Sequence, residues 1–120
     1  MKVIIDLIED IREAIENNPS FSLIVMGLEE DKEGNFTPTW QSPLNRLSLD
    51  ETEKKVYFFL GKENPITMTP LLIELNSMSN QEMMYPLQVS YSKEDQRVDK
   101  EVIGFGESLE GKQYILFVEA

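Results

Sequence analysis

The sequence predicts a single α+β domain over residues 1–120, a mainly antiparallel sheet of about five to six strands with two helices on one face. The length of 120 residues is typical of one domain. Apolar residues recur at helical spacing in two segments, and short apolar or alternating runs separated by turns indicate the strands. Most predicted strands are joined by connections too short for a helical crossover, which favours antiparallel pairing.

The first helix is predicted over residues 2–17. Its apolar residues recur every three or four positions and fall on one face, with Ile11 near the centre of that face. Asn18-Pro19 ends the helix, because the residue before a proline avoids the α region. We therefore expect Ile11 to be buried. The opposite face is acidic and consists of Asp6, Glu9, Asp10, Glu13 and Glu16.

The other elements follow from the same patterns. Polar residues 29–35, which include Gly34-Asn35, predict a hairpin loop. Thr69 and Pro70 suit the N-cap and first position of a second helix that ends near residue 79. Strands are predicted at residues 21–28, 36–40, 56–60, 87–92, 98–105 and 113–118.

Two features of the pattern are open to more than one interpretation. Leu44, Leu47 and Leu49 fit either a strand or a turn of helix, and residues 50–53 have capping-box spacing that would allow a brief helical turn. The order of helix, strands, helix, strands also fits a duplicated helix-plus-three-strand unit with a period of about 66 residues. The two halves share no residue-level identity that would establish such a repeat.

The composition argues against most enzymatic chemistry. The chain has no His and no Cys, so it lacks the usual general acid-base, a thiolate nucleophile and sulfur ligands for zinc. With 22 Asp and Glu against 11 Lys and Arg, the formal charge is -11, which opposes binding to nucleic acid or to an anionic membrane. We therefore expect a cytoplasmic protein that is not an enzyme and has no catalytic residues, no cofactor and no metal site.

Two segments resemble known ligand loops only in part. Residues 29–35 place oxygen ligands at alternating positions before Gly34, but Trp40 stands where an EF-hand loop needs a bidentate Glu. Gly104, Gly106 and Gly111 lack the spacing and the following helix of a dinucleotide fingerprint. The expected roles are a hairpin tip for the first segment and a bulge or bend at a strand end for the glycines.

Three groups of residues are candidates for binding a partner. The first is the acidic helix face, in particular Asp6, Glu9, Asp10 and Glu13. The second is Trp40, at the end of the possible strand 36–40 and between prolines, where no periodic pattern demands burial. If this position is a loop, its indole can anchor an interface. The third is residues 83–85, Met83, Met84 and Tyr85, because adaptable Met side chains beside a Tyr suit a contact surface.

The leading functional hypothesis is a small acidic protein that binds a basic partner protein through its negative surface. Immunity proteins against toxins, inhibitors of nucleic-acid enzymes and nucleic-acid mimics share this acidic character. The alternative is a small-molecule-binding or sensory module with a pocket between sheet and helices, lined by Trp40, Tyr57 and Met residues. An enzyme without His or Cys is the third hypothesis, and no pattern indicates an oligomeric state.

Overall fold

The computed structural model describes all 120 residues and contains two α-helices and six strands that close into a barrel. The strands follow one another around the barrel in chain order, β1 to β6. The predicted α+β fold is confirmed, although the sheet is mixed, because β3 pairs with β4 and β6 pairs with β1 in parallel. The elements are α1 (Ile4–Asn17), β1 (Ser22–Glu30), β2 (Phe36–Asp50), β3 (Lys55–Leu60), α2 (Met68–Asn76), a short 3-10 helix (Glu82–Met84), β4 (Leu87–Lys93), β5 (Gln96–Ser108) and β6 (Gln113–Glu119).

The barrel closes because two long strands change partners part of the way along their length. β2 pairs first with β1 and then with β3, and β5 pairs first with β4 and then with β6. A bulge at Asn45 marks the second pairing of β2, and a bulge at Ile103 marks that of β5. Such bulges bend a strand and increase its twist, which lets one sheet curve into a closed wall.

The core joins the barrel interior to the apolar faces of both helices in one cluster of 20 buried residues. Ile11 is fully buried, so the predicted docking of α1 is confirmed. The N–H of Leu87 donates to the carbonyl of Lys2, and Ser22 forms a β-bridge with Thr67. Both helix N-termini therefore lie at the end of the barrel where β1 and β4 begin.

The two halves of the chain repeat one connectivity, a helix followed by three antiparallel strands. Val3, the N-cap of α1, pairs with Pro86 just before β4, and Thr67, the N-cap of α2, pairs with Ser22 at the start of β1. The buried residues follow the same repeat, because Ile4, Leu7 and Ile11 correspond to Met68, Leu71 and Leu75 at one constant separation. Each half thus begins its helix beside the first strand of the other half.

The structure decides the two alternatives left open at residues 44–53 and corrects the predicted bounds of the second helix. Residues 44–50 belong to β2, and Asp50 accepts hydrogen bonds from the N–H groups of Thr52 and Glu53 in a turn rather than starting a helix. The N-cap of α2 is Thr67 instead of Thr69, and the helix ends at Asn76. Pro70 consequently lies within the first turn, where its missing N–H leaves no intrahelical bond unmade.

No helix of the structure is long and apolar enough to cross a membrane.

Candidate functional site

The acidic face of α1 runs alongside the end of β5 and forms a shallow groove with it. Two adjoining depressions of about 230 and 250 Å³ make up this groove, and Phe105 lines both of them. We call this region the acidic groove; its charged residues are Lys2, Asp6, Glu9, Asp10, Glu13 and Glu107. All four acidic candidates from α1 therefore lie together, and Glu107 of β5 adds a fifth carboxylate.

A buried tyrosine fixes one of these carboxylates. The hydroxyl of Tyr114 on β6 donates to Oδ2 of Asp10 at 2.6 Å. Burial, followed by the hydrogen bond and charge of Asp10, raises the pKa of Tyr114, which keeps the phenol protonated as a donor. Asp10 is thereby held in one orientation at the middle of the acidic groove.

The beginning of α1 supplies the other fixed contacts of the groove. Asp6 accepts a hydrogen bond from the N–H of Val3 at 2.9 Å, which caps the helix and places a negative charge where the helix dipole favours it. The ammonium of Lys2 lies 5.5 Å from the centre of the Phe105 ring. Lys2 is the only cationic side chain lining the groove.

Few of the carboxylates in this protein are neutralised by contact with a cation. The structure contains two ion pairs, one from the N-terminus to Glu101 at 3.6 Å and one from Arg97 to Asp99 at 2.9 Å. No carboxylate of the acidic groove belongs to either pair. Lys2 is therefore the only cationic side chain beside these carboxylates, and it forms no ion pair with any of them.

The excess of carboxylates also predicts raised carboxyl pKa values, and the clearest shifts mostly disagree with this expectation. Backbone N–H groups of Asn35 and Glu33 lower the pKa of Asp31 at the β1–β2 turn. The N–H of Ser79 lowers the pKa of Glu82, whereas the hydrogen bond shared with Glu82 raises the pKa of Glu51. Local hydrogen bonds thus dominate over general like-charge repulsion at these positions.

Trp40 does not lie on a loop. It lies within β2 directly opposite Gly27 of β1, and its ring packs against that of Tyr91, with centroids 5.1 Å apart and planes tilted by 58°. A side chain at Gly27 would overlap the indole, so the glycine is what allows this close packing. Trp40 is half-buried and closes the barrel interior, and it does not line the acidic groove.

The third candidate segment packs beside the N-terminus of α1, outside the acidic groove, and consists of Met83, Met84 and Tyr85. The N–H of Ile4 donates to the carbonyl of Tyr85, which fixes the short 3-10 helix against the N-terminus of α1. Met84 is largely exposed, while Met83 packs against the core. The hydroxyl of Tyr85 donates to Glu51 at 3.0 Å, so this segment forms a separate surface of its own.

Sequence reasoning missed the residues that complete the groove opposite α1. Phe105, Gly106 and Glu107 follow the bulge in β5, and Tyr114 reaches Asp10 from 104 positions away in the chain. Only the glycines gave a local signal, since a bend at this strand end was expected. Nothing near Tyr114 in the sequence indicates a contact with α1.

No protein family, no curated protein and no solved structure matches this chain. No three acidic side chains approach one another closely enough to hold a metal ion together.

Proposed function

We propose that this protein is a cytoplasmic, non-enzymatic module that binds a basic partner protein through the acidic groove. The observation that carries the proposal is that the groove holds five carboxylates and none of them pairs with a cation of the protein itself. A partner that supplies Lys or Arg gains charge-assisted hydrogen bonds there and displaces few internal contacts. The excess negative charge would also speed its approach and disfavour nucleic acid as a direct ligand.

The repeat within the fold supports a functional origin of this charge. The positions in the second half that correspond to Asp6, Glu9, Asp10 and Glu13 are Pro70, Ile73 and Glu74 of α2 and Ser77 directly after it. α2 therefore packs in its half of the fold with only one acidic residue at these four positions. On α1, Asp6 and Asp10 accept hydrogen bonds from Val3 and Tyr114. The side chains of Glu9 and Glu13 form no hydrogen bond or ion pair within the protein, so the fold does not require these two charges, whose like-charge spacing weakens a helix.

The chemistry of the groove suits long basic side chains in particular. Phe105 offers an apolar surface for the methylene stem of Lys or Arg, while Asp10 presents a carboxylate already oriented by Tyr114. An acceptor that is fixed in advance loses less conformational freedom on binding. This pattern resembles the acidic surfaces of immunity proteins, enzyme inhibitors and nucleic-acid mimics in chemical character alone.

Nothing in the structure favours the small-molecule alternative in the form the sequence suggested. Trp40 packs toward the barrel interior, whereas Tyr57 alternates with the core residues Val56 and Phe58 and faces outward. The two aromatic side chains therefore lie on opposite faces of the sheet and share no pocket.

The proposal is tested by measuring how a fluorescent oligolysine peptide binds, using fluorescence anisotropy over a range of NaCl concentrations. We expect Asp10→Asn combined with Glu13→Gln to weaken binding about tenfold and to reduce its salt dependence. The matched control is Glu94→Gln combined with Asp95→Asn, which removes two charges from the exposed β4–β5 turn. Equal weakening by both double variants would show that net charge, rather than the groove, attracts the peptide.

A further inference from the structure

A second charged surface lies on the outside of the barrel and differs in character from the rest of the molecule. Tyr57 and Phe59 of β3 point outward, with ring centroids 6.4 Å apart. Arg46 stands opposite Phe59 in β2, and Arg97 reaches the same rings from β5. We call Arg46, Tyr57, Phe59 and Arg97 the arginine wall.

The guanidinium groups of both arginines lie over aromatic rings. The guanidinium carbon of Arg46 lies 4.2 Å from the centre of Phe59, and that of Arg97 lies 4.8 Å from Tyr57 and 6.0 Å from Phe59. Tyr57 is only 9% exposed although it faces outward, because Arg97 covers its ring. Stacking of this kind restricts a guanidinium while leaving its N–H donors free at the edge.

Only one of the two guanidinium groups is paired with a carboxylate. Arg97 donates from Nε to Asp99 at 2.9 Å, whereas Arg46 has no carboxylate within 4.0 Å in a chain that carries 22 of them. Two cations beside one ring repel each other, and the charge of Arg46 is left without a protein partner. An oxyanion at the edge of Phe59 would accept hydrogen bonds from Arg46 and reduce that repulsion.

We propose that the arginine wall binds the carboxylate groups of an acidic peptide segment, with Arg46 as the main donor and Arg97 beside it. A carboxylate matches the planar fork of a guanidinium, and it carries less charge than a phosphate into the field of a protein of net charge -11. Ser48 and Gln88, the neighbours of Tyr57 on the adjoining strands, are uncharged and partly exposed, and can hydrogen-bond to a peptide. This surface is independent of the acidic groove and binds the opposite charge.

The test uses a fluorescein-labelled peptide of alternating Glu and Ser, with the corresponding Gln and Ser peptide as a control. At about 150 mM NaCl, where long-range repulsion is screened, we expect the Glu peptide to bind at least about tenfold more tightly than the Gln peptide. Arg46→Gln should weaken binding of the Glu peptide about tenfold, and Arg46→Lys should restore only part of it, since Lys lacks the planar fork. Arg12→Gln is the matched control, because Arg12 carries the same charge but bonds Asn76 at the end of α2.

Three results would overturn the proposal. The first is equal binding of the two peptides, and the second is equal weakening by Arg12→Gln and Arg46→Gln. The third is a different occupant of the wall. In that case inorganic phosphate would shift the NMR signals of Arg46 without displacing the peptide, or the protein alone would form a dimer in analytical ultracentrifugation that Arg46→Gln dissociates. Circular dichroism melting of each variant separates a loss of binding from a loss of folding.

Discussion

Truncation of Ile11 tests the placement of α1, on which the acidic groove depends. Ile11 is fully buried among the core residues of the helix and barrel. Ile11→Ala removes all side-chain carbons beyond Cβ, which costs about 2.4 kcal/mol at roughly 0.8 kcal/mol for each methylene removed from water. The cavity left in a rigid core adds to this loss, so we expect a total of about 3.5 kcal/mol within the usual range of about 2–5 kcal/mol.

The size of the chain converts this loss into a measurable shift. For a domain of this length, each kcal/mol lowers the melting temperature by about 4 °C, which gives a decrease of about 14 °C. Urea unfolding can be followed by the fluorescence of Trp40, the single tryptophan, which is half-buried and packs against Tyr91. The slope of the unfolding free energy with urea should stay unchanged if the native fold is kept.

Ile73→Ala provides the matched control on the other helix. Ile73 is 65% exposed, so the same truncation should change the unfolding free energy by less than about 0.5 kcal/mol. A loss below about 1 kcal/mol for Ile11→Ala, or equal losses at the two positions, would refute the docking of α1 through its apolar face.

Three further outcomes follow from contacts in the structure. Tyr114→Phe should lower the free energy of unfolding by about 1 kcal/mol at neutral pH. In the wild type, stability falls above about pH 10, because the phenol ionises in the unfolded chain while its raised pKa keeps it protonated in the fold, and the variant should lose this fall. Melting temperatures measured against pH test this, and an unchanged alkaline slope in the variant would contradict it. Gly27→Ala should cost about 2 kcal/mol and change the emission of Trp40, because the new methyl group overlaps the indole; wild-type emission and stability would show that the ring packs elsewhere. Moderate NaCl should raise the melting temperature, because it screens repulsion between carboxylates and only two ion pairs are present to be weakened; a melting temperature that falls with added salt would mean that the carboxylates are already neutralised. Acid below about pH 4 should lower the melting temperature, because Asp31 and Glu82, whose pKa values are lowered in the fold, become protonated there.

Local patterns in the sequence were sufficient for the number and order of the helices and strands and for the buried face of α1. The apolar period of α1 alone predicts that Ile11 is buried, because a helix that is apolar on one side must cover that side. The acidic face follows from the same period, so the sequence itself brings Asp6, Glu9, Asp10 and Glu13 onto one surface. The hairpin tip at residues 31–35 likewise depends on local chemistry, since Asp31 accepts hydrogen bonds from N–H groups two and four residues later.

The closure of the barrel was decided only by the tertiary structure. The same holds for the residues that face α1 across the acidic groove and for those that surround Phe59 in the arginine wall. Bulges at Asn45 and Ile103 let β2 and β5 change partners, and the parallel pairing of β6 with β1 joins opposite ends of the chain. Trp40 illustrates the physical reason: its burial depends on the absence of a side chain at Gly27, which becomes its neighbour only when β1 and β2 pair. The periodicity of a segment shows which of its residues lie on its apolar face and which on its polar face. The residues that pack against each face come from other segments, and only the folded chain shows which they are.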